Sequence, residues 1–229
     1  MTTLFLSCEH GGNRVPPALR ACFKGHEKVL ATHRGYDIGA LDLFRHLAPL
    51  AAESTSNTLS RLCIEMNRTE GHPQHFSRYT RGLDPARKEQ LLERYRAYRG
   101  EFIARMEARM AAGKDILHIA VHSFTPVLDG QRRTVDIGLL YDPSRQAERS
   151  FCQAWRKAIG GHAPNLVVRM NQPYKGTSDG FPTALRKRFP RHYAGIELEV
   201  NQRFAQGGRM APALKAALHA SLRETLPHA

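Results

Sequence analysis

Two histidines follow apolar runs that have the character of buried strands. The run Leu4–Leu6 is followed by His10 and two glycines, and the run ILHIAV at 116–121 leads directly into His122. In α/β sheets, ligands bind beyond the carboxyl ends of the strands, where residues from different strands meet. Zinc prefers imidazole nitrogens, and a catalytic zinc site needs about three protein ligands and one position for water. We therefore interpret His10 and His122 as candidate metal ligands, although a lone histidine near a strand is more often structural.

Arginines and a carboxylate occur together in the segment TLSRLCIEM at 58–66, whose apolar residues predict a further strand. The segment contains Arg61 and Glu65, and it is followed directly by Asn67 and Arg68. Guanidinium groups bind carboxylates through paired hydrogen bonds, and they stabilise the oxyanion that forms when a carbonyl is attacked. Near a metal, these residue types indicate a hydrolase that acts on a small anion.

Two glutamates lie two residues apart in the segment GIELEV at 195–200, which predicts a strand. Glu197 and Glu199 therefore share one side of that strand, and Arg203 follows just beyond it. A carboxylate buried in an apolar strand must find a partner or stay protonated. Glu199 could form a salt bridge with Arg203, or it could serve as a base beside a metal.

The composition is that of a globular protein with an excess of positive charge. Of 229 residues, 41% are apolar and 24% are charged, and the formal net charge is +13. Such a charge attracts nucleic acid, anionic membranes or small acidic substrates, although a charged helix face at 78–109 explains much of it. The chain has no apolar run of about 18 residues, so we expect no membrane span. Four scattered cysteines without a C-x-x-C motif, and no secretory signal, predict a cytoplasmic protein with reduced thiols.

Apolar runs alternate with helical patterns along the whole chain, and no repeat or long linker interrupts them. This alternation predicts a single α/β domain over 1–229, with a mixed, mostly parallel central sheet flanked by helices. The predicted strands are 4–7, 58–66, 116–121, 135–141, 166–170 and 195–200, and the predicted helices are 38–50, 85–112, 147–159 and 211–223.

Six segments, in order, resemble the N-formylglutamate amidohydrolase family, which is similar in fold and site to the zinc carboxypeptidase and aspartoacylase superfamily. They are CEHGGNRVP at 8–16, HRGYDIGALDL at 33–43, SRLCIEMNR at 60–68, HSFTPV at 122–127, NQPY at 171–174 and IELEVNQR at 196–203. The resemblance implies a zinc-carboxypeptidase-like fold, also described as phosphorylase/hydrolase-like. It further implies a bound divalent metal ion, and zinc is the metal that we expect.

The resemblance also implies a role for each matching residue. His10 and His122 match metal ligands, and Glu199 matches the glutamate that acts first as a general base and then as an acid. Arg61 corresponds to an arginine that stabilises the oxyanion.

Three further residues correspond to positions around the ligands. Asn67 and Arg68 correspond to a pair that binds the substrate carboxylate, and Glu65 to an acid that orients the first histidine from behind. A second cation should meet the substrate side chain, and its candidates are Arg132, Arg133 and Arg203.

The identity of the third metal ligand is undecided from the sequence, because the chain departs from the superfamily pattern. Asn13 stands where the superfamily has a metal-binding glutamate, three residues after His10, and asparagine is a poor zinc ligand. Asp37 is our preferred ligand because it lies in the matching HRGYD segment and offers a carboxylate. Glu9 is an alternative, but it would point away from His10 if strand geometry continues. Asn13 could instead support the site by capping the turn or holding a water.

The resemblance implies hydrolysis of N-formyl-L-glutamate, or a related N-acyl amino acid, to formate or another carboxylate and the free amino acid. The expected partner is this small anionic substrate, without a membrane or a specific nucleic acid, and the oligomeric state is open. Three alternatives stand beside it. They are a deacylase for another N-acyl amino acid, a basic anion- or nucleic-acid-binding protein without catalysis, and a family member that has lost activity.

Overall fold

A six-stranded mixed sheet forms the centre of the protein, in a computed structural model that describes residues 2–227. The sheet order is β2-β1-β3-β8-β6-β7, and all neighbouring strands are parallel except β6 and β8. Two further pairs form small hairpins, β4 with β5 and β9 with β10. The strands are β1 Thr2–Cys8, β2 Glu53–Ser56, β3 Asp115–Phe124, β4 Val127–Leu128, β5 Gln131–Arg132, β6 Ile137–Leu140, β7 Val168–Met170, β8 Tyr193–Asn201, β9 Ala205–Gln206 and β10 Arg209–Met210. The predicted α/β class with a mostly parallel sheet is confirmed.

In the described part of the chain, five α-helices cover the two faces of the sheet. They are α1 Ala40–Leu47, α2 Pro85–Ala111, α3 Gln146–His162, α4 Phe181–Arg188 and α5 Pro212–Thr225. Helices α1, α3 and α5 share one apolar cluster with the sheet, whereas α2 and α4 contribute to another that includes Phe5 and Ile116. Helix α2 begins after Asp84, whose carboxylate accepts a hydrogen bond from the Arg87 amide. Within 2–227, no helix is long and apolar enough to cross a membrane.

The prediction of a strand over 58–66 is wrong. The segment forms a bridge and turns, and the amide of Cys63 donates to the carbonyl of Ser60 at 2.8 Å. Its apolar residues are buried against residues of loops and of α2, in a cluster separate from the sheet. The edge strand is β2 instead. Its sequence ESTS is polar, and its residues alternate between half-buried and exposed positions. The apolar residues of this segment are buried without being paired in the sheet, and their pattern therefore resembled that of a buried strand.

The face of the sheet under α2 and α4 carries a line of polar side chains. In the parallel pairing of β3 with β8, His122 lies opposite Glu199 and Ala120 lies opposite Glu197. Side chains that are partners in register share a face, so His122 and both glutamates project on the same side. His118 lies four residues before His122 and therefore projects there as well. The polar line runs toward the carboxyl ends of the strands, where the predicted site residues gather.

His118 makes the stability of the fold sensitive to acid. Burial lowers the pKa of His118 from 6.5 to about 3, although the nearby Glu9 carboxylate opposes this shift. Between these pH values the unfolded chain binds a proton that the folded chain excludes. The free energy of unfolding therefore falls as the pH drops from 6.5 toward 3, by up to about 1.4 kcal/mol per pH unit.

We expect His118→Gln to remove this part of the pH dependence. Urea unfolding between pH 4.5 and 7.5 measures it, with the exposed His192→Gln as the control variant. Equal slopes for wild type and His118→Gln would show that His118 is not held neutral by the fold.

The four cysteines are free, as predicted, and they differ in exposure. Cys8, Cys63 and Cys152 are buried, and burial raises the pKa of all three thiols, that of Cys63 to about 12. Since the thiolate is the reactive form, we expect iodoacetamide at pH 8 to modify only the half-buried Cys22 in the native protein. Peptide mass spectrometry before and after denaturation measures this. Rapid native modification of Cys63 would contradict the packing described here.

Candidate metal centre

Three buried side chains converge at the carboxyl ends of β1 and β3. The Oδ2 atom of Asp37 lies 2.9 Å from Nδ1 of His122 and 3.4 Å from Nδ1 of His10. One ligand atom from each residue lies within 4.8 Å of the other two. Nδ1 of His10 has no hydrogen-bond partner among the described residues, although it is buried. Two imidazole nitrogens and a carboxylate around an unpaired buried nitrogen fit a divalent metal ion.

Loop contacts bring Asp37 to the histidines from a distant part of the sequence. The amide of Asp37 donates to the carbonyl of His10 at 2.9 Å, just before α1 begins. The two glycines after His10 allow the chain to pack closely against the loop that follows β2. A Cβ at Gly12, for example, would lie 2.7 Å from the carbonyl oxygen of Thr58. Because Gly12 has no side chain, the chain can take this path as it leaves β1.

A carboxylate lies behind each histidine, on the nitrogen that faces away from Asp37. Nε2 of His10 contacts Oε1 of Glu65, and Nε2 of His122 lies 3.1 Å from Oε2 of Glu9. A carboxylate on the outer nitrogen fixes the orientation and tautomer of a ligating histidine. Glu65 thus lies where a supporting residue is expected. Glu9 is on the far side of His122, so the third ligand atom comes from Asp37.

The charges of the cluster stabilise one another. Burial alone would raise the pKa of Glu9, but hydrogen bonds from His122 and Ser7 lower it to about 2. Burial also opposes ionisation of Asp37, and the contacts of its carboxylate with His10 and His122 hold its pKa well below the usual range. Both carboxylates are therefore ionised at neutral pH, which metal binding requires of Asp37.

Asn13 lies away from this cluster. Its side chain is exposed, and its Nδ2 atom donates to the carbonyl of Leu30 at 3.0 Å. This hydrogen bond ties two loops together. No contact of Asn13 with the three candidate ligands is found among the described residues, whereas the carboxylate of Asp37 lies beside both histidines.

Glu199 lies beside the cluster with a free oxygen. The residue is 7% exposed, and its Oε2 atom has no hydrogen-bond partner in the described part of the chain. Burial raises the pKa of Glu199 to about 8, with support from the carboxylates of Asp37 and Glu197 and against the attraction of His122. The salt bridge with Arg203 does not form, because Arg203 pairs with Asp136 at 2.7 Å. Glu199 is thus free to exchange a proton near neutral pH.

A cavity of about 240 Å³ opens over the three ligands and Glu199. It contains the predicted residues Arg61, Asn67 and Arg68, although they lie far from the histidines in sequence. Arg61 donates to Glu65 at 2.7 and 2.9 Å and to Asp37 at 3.3 Å. The remaining lining residues are Ser123, Tyr174, Lys175, Ser178, Asp179 and Glu197.

Backbone contacts hold the two substrate-binding candidates in the cavity wall. Arg68 donates from Nη1 to the carbonyl of Asp179 at 2.7 Å, and Oδ1 of Asn67 accepts from the amide of Phe181 at 2.7 Å. Within the described part of the chain, neither Nδ2 of Asn67 nor Nη2 of Arg68 has a hydrogen-bond partner that would keep it from a ligand.

None of the three arginines proposed for the substrate side chain lines this cavity, although Arg133 donates to the hydroxyl of Tyr174, which does, at 2.9 Å. Arg132 is exposed in the β4–β5 hairpin, and Arg203 is held by Asp136 beyond the end of β8. Arg132 and Arg203 are absent from the cavity lining, so their contact with a substrate stays a prediction. Lys175 lines it instead, directly after the NQPY segment at 171–174. Only the adjacency to that segment could have pointed to Lys175 in the sequence.

Comparisons with known proteins agree with this geometry. The model of the N-formylglutamate amidohydrolase family matches residues 2–205 of the chain. The chain belongs to the N-formylglutamate amidohydrolase family. As a member of this amidohydrolase family, the protein is a hydrolase, and the predicted resemblance is confirmed. A comparison with curated proteins found no match.

Two solved structures share the fold of this family member, and a third protein is matched with a lower score. A gene product from Agrobacterium tumefaciens is 26% identical with a TM-score of 0.75, over 97% of this chain and 91% of that chain. The N-formylglutamate amidohydrolase from Ralstonia eutropha JMP134 is 17% identical with a TM-score of 0.68, over 97% and 92% of the two chains. A metallo-carboxypeptidase from Burkholderia cenocepacia is 14% identical with a TM-score of 0.42, over 98% and 57%.

Proposed function

We propose that this hydrolase is zinc-dependent and cleaves N-formyl-L-glutamate, or a closely related N-acyl amino acid, to formate and the free amino acid. The observation that carries the proposal is the position of Glu199. Its unpaired carboxyl oxygen lies beside the buried His10–Asp37–His122 cluster, at the floor of a small cavity that also contains cationic side chains. Family membership supports the same reaction class.

The ligand set and Glu199 divide the chemistry between them. A zinc ion held by His10, Asp37 and His122 would polarise the formyl carbonyl and lower the pKa of water. Glu199 accepts a proton from the attacking water and then delivers it to the leaving nitrogen. A base with a pKa near the working pH performs both transfers well, and burial brings Glu199 into that range. The guanidinium of Arg61, which faces the cavity, stabilises the developing oxyanion.

The cavity supports a small, doubly anionic substrate. Its volume of about 240 Å³ is below the roughly 300 Å³ at which pockets for drug-sized ligands begin. Asn67 and Arg68 offer hydrogen-bond donors to the α-carboxylate, and Lys175 offers a charge to the side-chain carboxylate. The carboxylate of Asp179 also lines the cavity and accepts hydrogen bonds from the amide and the hydroxyl of Thr69.

Substrate profiling of the zinc-loaded protein tests the proposal. We expect the highest kcat/KM for N-formylglutamate, a lower value for N-formylglutamine, and a lower value again for N-acetylglutamate because the longer acyl group crowds the cluster. Lys175→Met should raise KM for N-formylglutamate by about tenfold, as expected for loss of a charged hydrogen bond. The same variant should leave KM for N-formylglutamine nearly unchanged.

Two results would contradict this proposal. If the zinc-loaded protein hydrolyses none of these amides, the deformylase function is wrong. If it prefers N-acetylglutamate, the protein is a deacylase for another N-acyl amino acid.

Partner and location belong to the same proposal. We propose the small anionic substrate as the partner, without a membrane or a specific nucleic acid, because the cations that the cavity presents suit a carboxylate ligand. We also propose a cytoplasmic location, which the four free thiols support.

A further inference from the structure

A buried arginine of α2 contacts the backbone around the two residues that line the cavity as carboxylate-binding candidates. Arg99 is 8% exposed, and its Nη1 atom donates to the carbonyl oxygens of Met66 at 3.3 Å and of Arg68 at 3.0 Å. These carbonyls belong to the residues on either side of Asn67. A single guanidinium group thus ties the backbone on both sides of Asn67 to α2.

The backbone of the segment 66–68 depends on side chains for its hydrogen bonds, because it belongs to no helix or strand. Buried carbonyl oxygens need donors, and a helix or a sheet normally supplies them. Here the Arg68 carbonyl accepts from Arg99 and also from the hydroxyl of Tyr95, at 2.8 Å. Tyr95 and Arg99 lie four residues apart, so they share one face of α2 and reach the same segment.

The Arg99 guanidinium also contacts the residue that orients the side chain of Asn67. Its central carbon lies 4.2 Å from the centroid of the Phe181 ring, within the usual range of cation–π contacts. The amide of Phe181 donates to Oδ1 of Asn67 at 2.7 Å. Because Oδ1 accepts this hydrogen bond, Nδ2 is the end of the Asn67 amide that is left to donate to a carboxylate.

Packing alone does not account for a guanidinium group at this position. In the part of the chain that the structure describes, no carboxylate lies within ion-pair distance of Arg99, whose donors go to carbonyl oxygens. A buried charge without a counter-charge is costly, and an apolar side chain of similar length would fill the space at a lower cost. What a guanidinium supplies, and an apolar side chain cannot, is a pair of donors for the carbonyls of Met66 and Arg68.

We propose that Arg99 is a positioning residue for substrate recognition, which holds Asn67 and Arg68 in the geometry that binds the α-carboxylate. The inference rests on the proposed function, because that proposal assigns the α-carboxylate to these two residues. Arg99 does not line the cavity, so it acts through them and not by touching the substrate. Tyr95 assists through the Arg68 carbonyl.

Kinetics with three substrates separate this role from a general effect on the fold. N-formylglutamate and N-formylglutamine both carry the α-carboxylate, whereas the α-amide of N-formylglutamate lacks it. The zinc-loaded variants are Arg99→Met, Arg99→Lys and Tyr95→Phe. The matched control is Arg105→Met, because Arg105 is also on α2 and also lies over an aromatic ring, that of Phe102 at 5.8 Å.

We expect Arg99→Met to raise KM by about tenfold for both substrates with an α-carboxylate, because a displaced Arg68 loses a charged hydrogen bond. KM for the α-amide should rise by less than about threefold, and kcat should stay within about threefold for all three substrates, since only binding is affected. Arg99→Lys keeps the charge and can donate to the carbonyls, so its KM should stay within about threefold of wild type. Tyr95→Phe should raise KM by about threefold, and Arg105→Met should stay within about twofold of wild type.

Two results in a folded Arg99→Met variant would overturn the positioning role. One is an unchanged KM for N-formylglutamate, and the other is an equal rise of KM for the α-amide, which would indicate a general loosening of the fold. Circular dichroism and zinc content establish that each variant is folded. If Arg99→Met does not fold, Tyr95→Phe provides the same comparison, because it removes a single hydroxyl. A rise of KM confined to the substrates with an α-carboxylate then supports the role, and an equal change for all three overturns it.

Ligand binding separates this inference from the proposed function. Isothermal titration calorimetry with N-formylglutamate and with its α-amide gives both Kd values without any need for turnover. A wild type that binds N-formylglutamate more tightly than the α-amide, but hydrolyses neither, would contradict the proposed function alone, and the Arg99 variants are then compared by Kd. A wild type that binds the two ligands equally well would overturn the inference even if it hydrolyses both.

Discussion

Replacing Glu199 with glutamine is expected to lower kcat by about 10³-fold, the middle of the range for general acid–base catalysis, while the zinc content stays unchanged. Glutamine preserves the size of the side chain but cannot accept the proton of the attacking water. Glu199 is not one of the three ligands, so the variant should retain the metal. Activity assays with N-formylglutamate measure kcat, and elemental analysis of the same samples measures the zinc content.

Glu197→Gln is the matched control for this experiment. Glu197 lies two residues earlier on β8, projects from the same face and lines the same cavity. We expect its kcat to fall by less than about tenfold, because no proton transfer is assigned to it. An equal loss in both variants would indicate that the cavity needs its negative charge, and it would remove Glu199 as the base.

The second large effect concerns the identity of the third ligand. Asp37→Asn should reduce zinc affinity by more than the roughly 10- to 100-fold that is typical of residues that only support a ligand. Glu9→Gln should stay within that range, since Glu9 contacts the outer nitrogen of His122. Metal titration of both variants against the same chelator gives the comparison.

Thermal unfolding of the metal-free variants provides the control for this comparison. Both variants should unfold cooperatively, so that a lost affinity reflects the site rather than the fold. If Glu9→Gln lost more affinity than Asp37→Asn, the ligand assignment would be reversed. Asn13→Ala should leave the affinity unchanged, because Asn13 contacts Leu30 and not the cluster.

The long elements of the fold were predictable because their sequences carry strong periodic patterns. The helix predicted over 85–112 is α2, and the apolar run at 116–121 lies within β3. Helix α4 was not predicted, because its eight residues, FPTALRKR, are too few to establish a period. Strand β2 was missed because an edge strand with a polar sequence has no apolar signature.

The candidate site was more predictable than the loops that complete it. Sheet geometry accounts for the meeting of His10, His122 and Glu199, since all three lie at or near the ends of adjacent strands. The position of Asp37 depends on a loop whose amide bonds to the His10 carbonyl, and the motif alone suggested it. Glu9 was hard to place, because its side chain lies behind the neighbouring histidine on β3 rather than beside His10. Contacts of that kind depend on three-dimensional packing and not on spacing.

The most direct test of the central claim is a measurement of zinc content and N-formylglutamate hydrolysis on the same preparations of wild type and His122→Ala. We predict about one zinc ion per wild-type chain, with deformylase activity, and the loss of both in the folded variant. A wild type that remains metal-free and inactive after zinc or cobalt is supplied would contradict the assignment of His10, Asp37 and His122 as a catalytic metal site.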